Sequence, residues 1–289
     1  MSKIVDVTYY VHSGFSCAID GNFFIFDYWR GQDPEELEGH DLTVEKLKNY
    51  KNVYVFITHS HPDHFDPIVY EWYKELPVNY IVSYEMPIGS RGKRMNPGDT
   101  YKTSEKIQVK AFDSTDLGVS YLLSYEDINI FHAGDLNFWH WREESTAQEI
   151  DEAEVQFKNA MEPIKKENID IAFFPVDPRQ GRLFDAGANY FLMSVKPRLM
   201  IPMHFWQKNE IAVEFARRSR SRDSEVLAMT KPGEKIRLEF TDDGYMVINI
   251  LDNKRTDSVF ADRDGYIDLD KYEEKDPFQD TDLPVKFDE

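Results

Sequence analysis

The stretch Val53-Tyr54-Val55-Phe56-Ile57-Thr58-His59-Ser60-His61-Pro62-Asp63-His64-Phe65 changes character at its middle. Its first five residues are β-branched or aromatic and have the length of a buried strand. The run then stops in a polar cluster that offers three imidazoles and a carboxylate between His59 and His64. Imidazole and carboxylate are the ligands that suit Zn, Mn or Fe. Residues two apart in an extended segment point the same way, so His59 and His61 can share one ion. Asp63 and His64, beyond a proline-directed turn, can face a second. A lone histidine is usually structural, but four such groups directly after a strand read as a metal site.

Outward from this segment, strands and helices alternate. Val5, Val7, Tyr9 and Val11 keep the period of a half-buried strand. Phe15 to Ile19 and Phe23 to Phe26 flank Asp20-Gly21-Asn22, a hairpin signal. Asp66-Pro67 reads as an N-cap with proline at the first helical position. Further strands are expected at Tyr80-Val82, Ile107-Phe112, Val119-Leu123, Ile128-Phe131, Ile169-Phe174, Leu199-Ile201, Ile236-Phe240 and Met246-Leu251. The clearest helix starts near Thr146, where Thr146 and Glu149 have capping-box spacing. Shorter helices are expected at Asp185-Val195 and Asn209-Arg220. The pattern is that of an α/β (or α+β) chain with helices covering sheets. It divides into a main domain, 1–251, and an acidic C-terminal extension, 252–289.

The His-x-His-x-Asp-His order resembles the signature of the metallo-β-lactamase-fold superfamily, and the resemblance continues downstream. Ala133-Gly134-Asp135 looks like the family's Gly-Asp element, and Ile201-Pro202-Met203-His204-Phe205 like its final-histidine element. His12-Ser13-Gly14, before a hairpin ending in Asp27, is similar to the branch of ascorbate-phosphate lactonase-like hydrolases. The resemblance implies an αββα sandwich with metals at one edge. It implies a second metal on Asp63, His64, Asp135 and His204, with Asp135 shared with a first metal on His59 and His61. One departure stands out. Where the family usually has a third histidine, this chain reads Asp113-Ser114-Thr115-Asp116-Leu117-Gly118-Val119. Asp116 is the expected replacement, with Asp113 or His132 as alternatives; without one, the first site keeps two histidines and the shared aspartate.

The remaining candidates are expected around a substrate: His12, His140 in Phe138-Trp139-His140-Trp141, Arg179 and Asp185. The charge balance narrows the substrate. With 34 basic and 53 acidic residues the net charge is −19, a field that repels phosphate backbones, so neither a nucleic-acid nor a membrane partner is expected. A small anionic molecule drawn by the metals stays compatible with that sum. A single cysteine forms no internal disulfide, and no apolar run approaches a membrane span, so the expected location is the cytoplasm. Arg217-Arg218-Ser219-Arg220-Ser221-Arg222 reads as a solvated helix end, and Asp262-Arg263-Asp264-Gly265 lacks the acidic residues a calcium loop needs at its ends.

The function expected from all this is a metal-dependent hydrolase acting on a small ester, lactone or amide. Two divalent transition ions, zinc first and manganese or iron next, would lower the pKa of a shared water to about 7 and make hydroxide available. Asp63, besides ligating, would orient that hydroxide or accept a proton. The alternatives are a phosphodiesterase or nuclease of the same fold, and a non-catalytic, metal-poor sensor or interaction protein. Ser60 stands where oxygen-reducing diiron relatives carry glutamate, which disfavours a redox role.

Overall fold

The protein is described by a computed structural model covering residues 2–32, 37, 39–219 and 223–251. The acidic extension, its Asp-Arg-Asp-Gly stretch and Arg220 to Arg222 lie outside the described residues. Strands β1 (Lys3–Tyr9), β2 (Phe15–Ile19), β3 (Asn22–Phe26), β4 (Asn52–Ile57), β5 (Val78–Ser83) and β6 (Lys93–Met95) lie side by side in chain order. The next seven form a second sheet, again in chain order: β7 (Thr100–Lys102), β8 (Ile107–Phe112), β9 (Ser120–Tyr125), β10 (Ile128–His132), β11 (Ile171–Pro175), β12 (Leu199–Met203) and β13 (Glu225–Val226). The chain then returns to the first sheet as β14 (Lys235–Phe240) beside β1 and β15 (Met246–Ile250) at the edge. Each sheet combines antiparallel hairpins with parallel strands: β3 to β6 in the first, β10 to β13 in the second.

The decisive run is a strand buried on both faces. Tyr54 and Phe56 of β4 join the core between the sheets, while Val53, Val55 and Ile57 join a second core outside the first sheet. β3 divides in the same way, with Phe24 and Phe26 inward and Phe23 and Ile25 outward. That is why neither strand shows apolar–polar alternation. The sheets meet through aromatic contacts such as Phe15 of β2 stacked on Phe173 of β11, with ring centroids 4.2 Å apart. Removing side chains like these from water contributes about 1.5–3 kcal/mol each.

Three helices cover the second sheet: α2 (Ala147–Ile164), α3 (Ala186–Val195) and α4 (Asn209–Arg218). They bury Phe157, Met161, Phe191 and Phe215 in the inter-sheet core cluster. The capping box is present, with the Thr146 hydroxyl accepting from the Glu149 N–H and the Glu149 carboxylate accepting from the Thr146 N–H. The first sheet's outer layer is thinner than the αββα expectation. Among the described residues its helical elements are the one-turn α1 (Val44–Leu47) and the 3₁₀ turns Pro67–Tyr70 and Trp72–Lys74, where sequence spacing suggested a continuous helix. Pro77 and β5 follow at once and leave no room for further turns. Lys93-Arg94 belongs to β6, and Arg94 donates to the carbonyls of Tyr84, Met86 and Pro87, which ties down the preceding loop. Arg217 and Arg218 both pair with Glu214 one turn earlier on α4.

Candidate metal centre

Every candidate ligand sits just beyond the end of a strand or in a strand-linking turn, and these ends converge at one rim of the sandwich. His59, His61, Asp63 and His64 follow β4, Asp135 follows β10, His204 follows β12, and His12 occupies the turn between β1 and β2. Glycine allows the approach. At Gly118, φ is +81° and an added Cβ would lie 2.0 Å from the Thr58 carbonyl oxygen, so only glycine lets the 113–119 loop close on the motif. The closure is secured by the Val119 N–H donating to Thr58 O at 3.1 Å.

Asp135 lies at the centre of the cluster with its two oxygens facing different histidines. Oδ2 is 3.2 Å from His59 Nε2 and 3.8 Å from His61 Nδ1. Oδ1 is 3.0 Å from His64 Nε2 and 3.2 Å from His204 Nε2. Asp63 Oδ2 stands 3.2 Å from His12 Nε2 and 3.9 Å from His204 Nε2. Two sets with metal-ligand proximity face the cavity side, His59, His61 and Asp135 in one and His12, Asp63, His64 and His204 in the other, and a third group, Asp27, His59 and His64, lies behind them. The atoms aimed at the centre, His59 Nε2, His64 Nε2, His204 Nε2 and Asp135 Oδ1, are buried without a hydrogen-bond partner. Buried polar atoms left unpaired are costly, and a divalent cation among them removes that cost. The donor set therefore fits a divalent metal.

The outward-facing nitrogens are anchored. His64 Nδ1 pairs with Asp27 Oδ2 at 2.8 Å, and His204 Nδ1 with Asp177 Oδ2 at 2.8 Å. Thr58 Oγ1 meets His59 Nδ1 at 2.9 Å while donating to Asp27. Asp177 is in turn held by the Arg179 guanidinium at 2.6 Å. Carboxylate partners of this kind fix the ring orientation and make the inward nitrogen a better ligand.

The electrostatics say the same. Burial opposes charge on His204, yet Asp135 and then Asp177 overcome it and raise the ring to about 9. His64 is likewise raised, against burial, by Asp135 and Asp27. Burial would raise Asp135, but His64, His59 and His204 hold it well below the usual carboxylate range. The pocket demands positive charge, which a cation supplies in place of the imidazole protons. His12 is different: burial and the neighbouring His204 push it down to about 3, the neutral form able to ligate.

The structure places the other candidates unequally. Asp116 is exposed at the cavity rim, where Oδ1 accepts from the Leu117 N–H at 2.9 Å, and it does not join the close group of His59, His61 and Asp135. His132 does not either: Nε2 bonds the Ser13 carbonyl at 2.8 Å and Nδ1 accepts from Gly134 at 3.2 Å. The first set keeps two histidines and the shared aspartate. His12, expected near the substrate, lies instead among the ligands of the second set. His140 turns away from the cavity onto the Leu183 carbonyl at 3.2 Å. Asp185, buried at the start of α3 and 3.9 Å from Arg218, is also absent from the lining. Arg179 does line it.

That cavity, about 390 Å³, opens directly on His61, Asp63, Asp135 and His204. Its walls include Trp29, Trp139, Trp141 and Trp206. Sequence reasoning assigned no role to Asp27, Asp177, Trp29 or Trp206. The signal for the two carboxylates was present, since both follow a wholly buried strand closely, the position that the ligands themselves take.

No protein-family model matches the chain. It is 24% identical over 257 residues, 82% of this chain and 99% of the relative, to a protein of Ignicoccus hospitalis named a UPF0173 metal-dependent hydrolase. A relative of the same name from Staphylothermus marinus is 24% identical over 255 residues, covering 79% of this chain and 96% of the relative. Among solved structures, Igni18, a metallo hydrolase from Ignicoccus hospitalis, aligns with a TM-score of 0.59 at 21% identity, covering 82% of this chain and all of that one. The metallo-β-lactamase fold protein YhfI from Bacillus subtilis aligns with a TM-score of 0.54 at 12% identity, over 81% of this chain and 99% of that one. With two facing sheets, helices outside them and a histidine–aspartate cluster at the shared rim, the chain is a metallo-β-lactamase-fold protein.

Proposed function

We infer that this protein is a metal-dependent hydrolase that holds two divalent transition ions, zinc the first expectation, and cleaves a small ester, lactone or amide. The reading rests on one observation above all: unpaired imidazole and carboxylate atoms from four separate chain segments converge at the floor of an open cavity. The names of the two archaeal relatives support it. Bound divalent ions supply a water acidified to near neutrality and a polarised electrophile.

The chain's own residues do the rest. Asp135 presents one oxygen to each ligand set, and its charge would offset the repulsion between two cations held there. Burial would raise Asp63, but the hydrogen bond from His12 and the charge of His64 hold it well below the usual carboxylate range. It faces the cavity as a carboxylate, placed to accept a hydrogen bond from the attacking water and orient it. Arg179, about a quarter exposed (28%), brings positive charge to the wall and suits an anionic substrate. The single buried thiol, Cys17, agrees with the reducing cytoplasm as its location.

The test is elemental analysis of protein purified without chelator, followed by assays on a panel of small esters, lactones and amides. At least one metal equivalent and metal-dependent turnover lost in Asp63→Ala are expected. Well under one equivalent after supply of zinc or manganese would favour the metal-poor sensor instead.

A further inference from the structure

We propose that the cavity over the metal centre selects substrates with a flat aromatic ring next to the scissile bond, gripped by Trp139, Trp141 and Trp206. This specificity rests on the hydrolase reading above. The chain has five tryptophans, and the one outside the cavity, Trp72, is a core residue at 2% exposure. The other four are all half-buried and all line this one cavity. Indole is the largest apolar side chain, and four of them facing solvent around one cavity leave area that a ligand can cover.

The geometry favours a ring over an aliphatic chain. Trp139 and Trp141 are near parallel, 9° between planes with centroids 5.5 Å apart. Trp139 is fixed by donating Nε1–H to the Asp135 carbonyl at 2.8 Å, which ties the aromatic wall to the residue between the ligand sets. Trp206 packs against His12 at 4.3 Å. The Arg179 guanidinium bridges the walls, 5.5 Å from the Trp141 ring and 5.0 Å from that of Trp206. Among the described residues, Pro62 is the sole apolar residue of the lining besides these indoles, and leucine, isoleucine, valine and methionine, which suit an alkyl chain, are absent from it. About 390 Å³ is a small-ligand volume.

The test uses the metal-loaded full chain and two probes with one carbon skeleton, 2-naphthoate and its saturated counterpart decahydro-2-naphthoate, titrated calorimetrically. The aromatic acid is expected to bind about tenfold more tightly, as stacking on two or more indoles implies. Trp141→Leu should bring that ratio close to one with metal content unchanged, Trp206→Leu should also bring it close to one, and Trp141→Phe should keep most of it. Equal affinity in the wild type, no binding of either acid, or a ratio untouched in both leucine variants would overturn the proposal. Because binding is read without turnover, a protein that stacks naphthoate yet cleaves nothing refutes the hydrolase reading alone. One that cleaves esters without aromatic preference refutes this specificity alone.

Discussion

Asp135 has two carboxylate oxygens and four imidazoles around them, 3.0 to 3.8 Å away. Asp135→Asn keeps the shape but halves the oxygen ligands and removes the charge. The variant is expected to fold, because the inter-sheet core does not depend on the cluster, and to bind metal poorly. Circular dichroism paired with elemental analysis checks this; full metal occupancy would show that Asp135 is not the shared ligand. Asp177 acts one step further out, accepting from His204 and pairing with Arg179. Asp177→Asn should weaken metal affinity by about 10–100-fold, as losses of such partners do. Competition with a metal-sensitive dye reads that change. Asp116→Ala, by contrast, should lower metal content less than Asp135→Asn does, since Asp116 stands at the cavity rim outside the close ligand groups.

At the scale of elements, the 113–119 loop and α2 offer a matched pair of tests. Gly118→Ala forces a side chain onto a positive φ and against the Thr58 carbonyl. The strained backbone alone costs about 1–3 kcal/mol, and the overlap adds to it. Since Thr58 precedes His59, thermal stability and metal content should fall together. Thr146→Ala removes the α2 cap and should cost about 1 kcal/mol of stability, with metal content unchanged. A metal loss in Thr146→Ala equal to that in Gly118→Ala would mean that global stability, not local geometry, governs the site. The same contrast shows what was readable. The cap is an i, i+3 relation that four residues contain, whereas the Gly118–Thr58 approach joins segments sixty positions apart.

For the whole molecule, burial makes the core sensitive to alkali. It pushes Tyr28 up to about 12 and raises Cys17, Tyr10 and Tyr121 well above their ordinary values. Each group keeps its proton in the folded state and loses it on unfolding near 9.0 for cysteine or 10.0 for tyrosine. Above those values the unfolded chain binds fewer protons than the native one, so stability falls as pH rises. Denaturant midpoints should decline from about pH 9 upward. A midpoint that rises through that range would contradict the buried, protonated core. Cys17 gives an independent check: at pH 8 it should resist alkylation until the protein unfolds, then react at one thiol per chain.

What the sequence determined alone were the features written in neighbouring residues. The apolar run ending in His59-Ser60-His61-Pro62-Asp63-His64, the α2 cap and the order of ligand-bearing segments are all local features; that order carried the family resemblance that implied the fold, which periodicity alone did not single out. Tertiary structure decided which groups meet. Sheet register and loop closure bring His12 to Asp63, Asp27 to His64 and Asp177 to His204, and they spend His132 on the Ser13 carbonyl. They also gather four tryptophans from three distant segments onto one cavity. Coordination and stacking act over a few ångströms, and that proximity exists only once the two sheets have closed on each other.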